Sequence, residues 1–145
     1  MKDIDLDSAP SYTKLDLACH QLDRAIKLFI EEQDYISAIT LSGAAEEISG
    51  KLLEGETGTN EFKELIEECL ELSSRSPGGA IEAKEFREIF TYHRNELKHI
   101  GSGADISISA ACAQQFLDRA MQNLRRLSVT DSPEVQRYTN YRNDG

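Results

Sequence analysis

Arg94, Asn95 and His99 are the residues of this 145-residue chain whose types and spacing best suit chemistry. They lie in Phe90-Thr91-Tyr92-His93-Arg94-Asn95-Glu96-Leu97-Lys98-His99-Ile100-Gly101, which reads as the last turns of a helix stopped by glycine. On a helix Asn95 and His99 are i,i+4 neighbours, with Arg94 on an adjoining face of the same turns. The set combines a group that titrates near neutrality, an amide to orient it and a fixed cation able to fork onto a phosphate. The partial negative charge of the helix end favours the protonated imidazole of a His in the last turn.

Neighbouring residues admit plainer readings. Tyr92, Asn95 and His99 form one stripe, which a helix end also explains, with the His helping to cap the last carbonyls. His93 stands three and four residues from Phe90 and Ile89 and four before Leu97, the place of a core or interface histidine. Glu96-Leu97-Lys98-His99 matches one Glu-x-x-His ligand pair of the ferritin-like di-metal proteins, but the second pair is missing. Cys19, Cys69 and Cys112 are far apart and fall on apolar helix stripes, as reduced core thiols do, and no CxxC or Cys/His zinc spacing occurs. The expectation is a chain without metal or other cofactor.

Arg94 to His99, RNELKH, resembles the signature of the HEPN superfamily, in which an Arg and a polar residue are separated by three to five residues from a following His. The resemblance covers these six residues and the long helix that carries them. It implies a small all-α bundle that dimerises and a metal-independent ribonuclease whose site is shared by two copies. In that arrangement His99 exchanges protons with the ribose 2′-hydroxyl or the leaving oxygen, Arg94 holds the phosphate and Asn95 orients one or the other. A symmetric dimer brings two such histidines together as acid and base. Such nucleases are frequently toxins or phage-defence effectors, sometimes silenced by a nucleotidyltransferase antitoxin that modifies a tyrosine two residues beyond the His. Here that position is Gly101, which puts that mode in doubt. The alternative is a non-catalytic helical dimer serving as a protein interaction or regulatory module.

The elements that must position these residues are helices. Glycine, proline and aromatics are scarce and tryptophan is absent, a composition that favours helix over sheet. The spacing of apolar residues predicts an all-α, up-and-down bundle of four to five helices over residues 11–128. Residues 1–10 form an expected flexible lead-in, and residues 129–145 a short helix near Pro133 followed by a flexible tail. A first helix runs from a Thr13/Asp16 capping box to Glu32, and a second from Tyr35 to Leu53 with Gly55 as its stop. A third spans Glu61 to Ser73 with Phe62, Leu65, Ile66, Cys69 and Leu72 inward. A fourth, from Ala80 to His99, turns Ile81, Phe86, Ile89, Phe90, His93, Leu97 and Ile100 to the core. A fifth ends at Leu127, its Arg119, Arg125 and Arg126 directed to solvent or a partner.

In the second helix Ser42-Gly43-Ala44-Ala45 has little side-chain bulk, so another helix can approach closely there. Glu46 and Glu47 follow, and a carboxylate near buried surface needs a partner, for which Arg94 or a histidine of the fourth helix would serve. Both glutamates can equally be solvated or pair with Lys51. Glu47, which shares a face with Gly43, is the preferred member of a second wall, and Glu47, Tyr92 and His93 are the expected supporting residues of the Arg94, Asn95 and His99 site.

The formal net charge of −10 argues against nonspecific nucleic-acid binding. It is uneven: residues 1–74 carry 6 basic and 17 acidic side chains, whereas residues 75–145, which hold the motif, carry 10 and 9. An acidic half can dock a basic protein partner or simply be a solvated face. No apolar run approaches membrane-spanning length, and Met1 to Asp7 lacks the apolar core of a signal peptide, so the expected location is the cytoplasm.

Overall fold

A computed structural model describes residues 7–144, so the first six residues of the expected lead-in lie outside it. Six α-helices form among the described residues: α1 (Lys14–Lys27), α2 (Tyr35–Thr57), α3 (Glu61–Ser74), α4 (Ala83–Glu96), α5 (Ala110–Arg126) and α6 (Pro133–Asp144). The all-helical expectation holds, and no strand occurs among the described residues.

The helix starts follow local chemistry. Thr13 and Asp16 make the expected reciprocal capping box, each backbone N–H bonded to the other's side chain at 3.0 Å. Asp34 caps α2 by accepting the Ser37 N–H at 3.0 Å. The first helix does not continue regularly to Glu32: Leu28–Glu32 widens into a π-helical turn that ends at left-handed Gln33. This turn places Phe29 in the core, against Tyr35, Tyr138 and Tyr141 at ring-centroid distances of 5.4, 5.9 and 5.3 Å. Helix α2 passes through Gly55 and stops at Gly58, whose φ of +81° is the left-handed cap that glycine adopts most readily.

Helix α2 is the centre of the molecule, packed between α1 and α5. Its buried positions, Ala38, Ile39, Ser42, Gly43, Ala45, Glu46, Ser49, Gly50 and Leu53, wrap around the helix and are mostly small. Small residues let neighbouring helices approach from more than one side, and Ser42 and Ser49 satisfy their hydroxyls on carbonyls of α2 itself. The core is completed by Leu22 and Ile26 of α1, Phe116 and Leu117 of α5, and Val135 and Tyr138 of α6.

The terminal helix is thus part of the bundle and not an appendage to it. Tyr138 is fully buried and its hydroxyl donates to Asp118 at 2.6 Å. Burial, reinforced by that hydrogen bond, pushes the phenol pKa well above its ordinary value. Helix α6 extends past Tyr141 to Asp144, held by Arg142 to Asp118 at 2.9 Å and Arg137 to Glu31 at 2.7 Å.

Helices α3 and α4 form a looser layer. Of the residues expected to face inward from α3, Ile66 is buried and Leu72 is 59% exposed. Helix α4 buries none of its residues. Ile81, Ile89 and Ile100, assigned to the core from the apolar pattern, are 40, 57 and 88% exposed. Of the expected core residues in this stretch, Phe86, Phe90 and Leu97 are partly covered, whereas Ile89 of α4 and the two isoleucines beyond its ends stay largely exposed. No helix among the described residues is long and apolar enough to cross a membrane.

Candidate functional site

Helix α4 meets the bundle through Phe90, Arg94 and, just past its end, Leu97, so two of the expected core residues face inward with Arg94 between them and Ile89 does not. Arg94 lies across Gly43 of α2, so close that a Cβ on that glycine would sit 2.8 and 2.9 Å from the Arg94 Cδ and Cγ. The close approach expected at Gly43 is therefore made by an arginine side chain. Leu97 packs against the core one turn later.

Under Arg94 lies Glu46, 4% exposed. Its Oε1 is 3.7 Å from Arg94 Nη1, and its Oε2 accepts a short hydrogen bond from Arg119 Nε of α5. Arg119 Nη2 donates to the Phe90 carbonyl of α4 at 3.0 Å, and its guanidinium sits over the Phe62 and Phe116 rings at 5.7 and 4.9 Å. Burial pushes the Glu46 carboxyl above its ordinary 4.5, and the two guanidiniums, Arg119 foremost, pull against it. Asn123 of α5 completes the surround, donating to the Glu46 carbonyl at 3.4 Å and accepting the Glu61 N–H at 3.1 Å.

This arrangement changes two expectations. The buried carboxylate is Glu46; Glu47 is half-exposed, 3.5 Å from Lys51 and 4.0 Å from Arg94. Arg119, expected to face solvent or a partner, is 8% exposed and is the main counter-ion of Glu46. A signal for both existed: Gly43, Glu46 and Gly50 share a face of α2 at helical spacing, a groove with one acid on its floor, while Arg119 stands three residues after the core residue Phe116.

The structure does not bring the RNxxxH side chains together within one chain. Arg94 points into the bundle with its Nε buried and unpaired. Asn95 is exposed and donates to Thr91 Oγ1 at 3.2 Å. His99 lies just beyond the end of α4, where its N–H still bonds the Asn95 carbonyl at 3.1 Å, and among the described residues its exposed imidazole has no partner. Tyr92 is 46% exposed, with its ring edge-on to His93 at 5.1 Å. His93 is partly covered, beside a groove that it lines with Ile89 and Phe90 of α4 and Gln115 of α5, and does not belong to the core.

A cleft of about 230 Å³ opens beside the Arg94–Glu46 contact, lined by Lys51, Lys63 and Arg94 and by Glu46, Glu47 and Glu54, among others. Lys51 faces Glu47, and Lys63 faces Glu54 at 3.3 Å. With cations and carboxylates matched in number, this cleft has no positive excess with which to attract a phosphate. No three His, Cys, Asp or Glu side chains among the described residues are grouped so as to hold a metal ion.

Fold and site together define a helical protein in which a buried Arg–Glu–Arg bridge fastens an exposed, motif-bearing helix. No family model matches the chain, and neither the curated proteins nor the solved structures contain a significant match to it.

Proposed function

We propose that this chain acts as a homodimer paired along α4, and that pairing assembles a HEPN-like, metal-independent endoribonuclease of the kind found in toxin–antitoxin and defence systems. The observation that carries the reading is that α4 has no fully buried residue in the single chain while it presents Ile89 and Tyr92 outward and carries Asn95 and, just past its end, His99, both exposed. A broad groove of about 670 Å³ runs along it, lined by Ile89, Phe90, Tyr92 and His93 of α4 and by Gln115 of α5. Helix α4 carries three basic and three acidic residues, so two copies can meet there without opposing the charge of −10 on each.

In such a dimer two His99 imidazoles serve as base and acid. One takes the 2′-hydroxyl proton as that oxygen attacks the adjacent phosphorus, and the other protonates the departing 5′-oxygen. Asn95 orients the phosphate or the imidazole. Arg94 fixes α4 and offers the phosphate whatever donors Glu46 leaves free. The products end in a 2′,3′-cyclic phosphate and a 5′-hydroxyl.

One observation favours a non-catalytic dimer acting as an interaction module: the motif's own Arg94 faces Glu46 and Glu47 and is drawn into the bundle. Incubating wild type and His99→Ala with mixed single-stranded RNA in EDTA separates the two. Cyclic-phosphate ends from wild type alone are expected, and intact RNA with a dimeric wild type would favour the module.

A further inference from the structure

Helix α4 presents a problem of attachment. None of its residues is fully buried, and its apolar contacts with the bundle come down to the partly buried Phe86 and Phe90 and, just past its end, Leu97. The segments at its two ends contain Gly79, Gly101 and Gly103 with φ of +98, +50 and +76°, and neither forms regular structure. Yet its Phe90–Leu97 face meets the bundle at a polar cluster whose every member is in contact. Glu46 of α2 takes Arg119 on one oxygen and faces Arg94 on the other, and Arg119 reaches on to the Phe90 carbonyl. Arg119 is itself immobilised between Phe62 and Phe116. Gly43 provides the missing bulk that lets Arg94 lie down against α2.

We infer that Glu46 is a positioning residue that sets the register of α4 on the bundle, gripping it at two points one turn apart, through Arg94 directly and through Arg119 at the Phe90 carbonyl. One carboxylate with two oxygens in different directions can hold two cations from two helices, and a shift of α4 by one residue would lose both grips together. Asn95 and His99 follow Arg94 immediately along the chain, so the grip also determines where they emerge. That consequence for catalysis rests on the ribonuclease reading; the grip itself does not.

The test is amide hydrogen exchange, followed by mass spectrometry, in wild type, Glu46→Gln and Gly43→Ala. Glu46→Gln weakens both grips. Gly43→Ala leaves Glu46 and Arg119 intact, improves the helix propensity of α2 and displaces only Arg94, so it keeps the inference testable even where Glu46→Gln fails to fold. Exchange across residues 83–97 is expected to quicken about tenfold or more in Gly43→Ala, while peptides of α1 and α5 keep wild-type rates. In an Arg94→Ala background the added Gly43→Ala should change α4 exchange no further, because both act on one contact. Unchanged α4 exchange in Gly43→Ala, a rise spread evenly over all helices, or independent additive effects in the double variant would each overturn the inference. A wild type that cleaves no RNA would count against the ribonuclease reading and leave the exchange result standing.

Discussion

Glu46 shows how much a single side chain can require of its surroundings. A carboxylate buried alone is too costly to persist, and here Arg119 and Arg94 make its burial tolerable. Their contributions differ because their geometry differs. Arg119 donates directly to Glu46, whereas Arg94 Nη1 stands 3.7 Å away with its side chain 16% exposed. Arg119→Met should therefore destabilise the fold by about 3–5 kcal/mol, the usual cost of stranding a buried partner. Arg94→Met should cost less, about 1–2 kcal/mol, since Arg119 remains, and exposed His99→Ala should stay within about 0.5 kcal/mol. Urea unfolding of the three variants checks the order. Equal losses for the two arginines would mean that Glu46 shares its charge evenly between them.

Among the elements, α2 and α4 are opposites. Helix α2 is enclosed by packing and begins at a charged cap. Asp34 accepts the Ser37 N–H as a carboxylate, and those hydrogen bonds hold its pKa below the ordinary 3.8. A depressed carboxyl pKa stabilises the fold above the unfolded value and loses that contribution as the pH falls through the folded one. Asp34→Ala should thus cost about 1 kcal/mol at neutral pH. The gap from wild type should shrink as the pH is lowered through 3.8, measured by denaturant unfolding across a pH series. A gap that persists unchanged at the lowest pH would mean that the ionised carboxylate is not what caps the helix. Helix α4 has no side-chain cap at its start, no buried residue and glycine-containing segments at both ends, so it depends on contacts made from outside itself.

For the whole molecule the question becomes what covers α4. Self-association along that helix would bury the exposed Ile89 and Tyr92 without bringing the strongly acidic α3 face, with one basic and five acidic residues, against itself. Sedimentation of wild type at micromolar concentration should show a dimer. Ile89→Glu should run as a monomer with unchanged helical circular dichroism, because the residue is 57% exposed in the single chain. A monomeric wild type would remove the composite site together with the pairing.

Much of this was written locally in the chain. The Thr13/Asp16 capping box, the start of α2 at Tyr35 and the small-residue stretch at Ser42 to Ala45 depend on neighbours within a few residues, and each is found where the pattern indicates. The pattern places the stop of α2 at Gly55 and the helix runs on to Gly58, since either glycine can end a helix and the Thr57 hydroxyl, bonded to the Leu53 and Thr59 carbonyls, supports the later turn. Which carboxylate is buried, and which arginines answer it, is spread across α2, α4 and α5, with Glu46 and Arg119 73 residues apart. Helical periodicity ranks residues by hydrophobicity around one axis; it cannot say how far that axis is rotated against its neighbours. Tertiary structure alone decided that α4 turns Arg94 inward between Phe90 and Leu97 and leaves Ile89 outward, because a glycine and a buried carboxylate on another helix receive the arginine there.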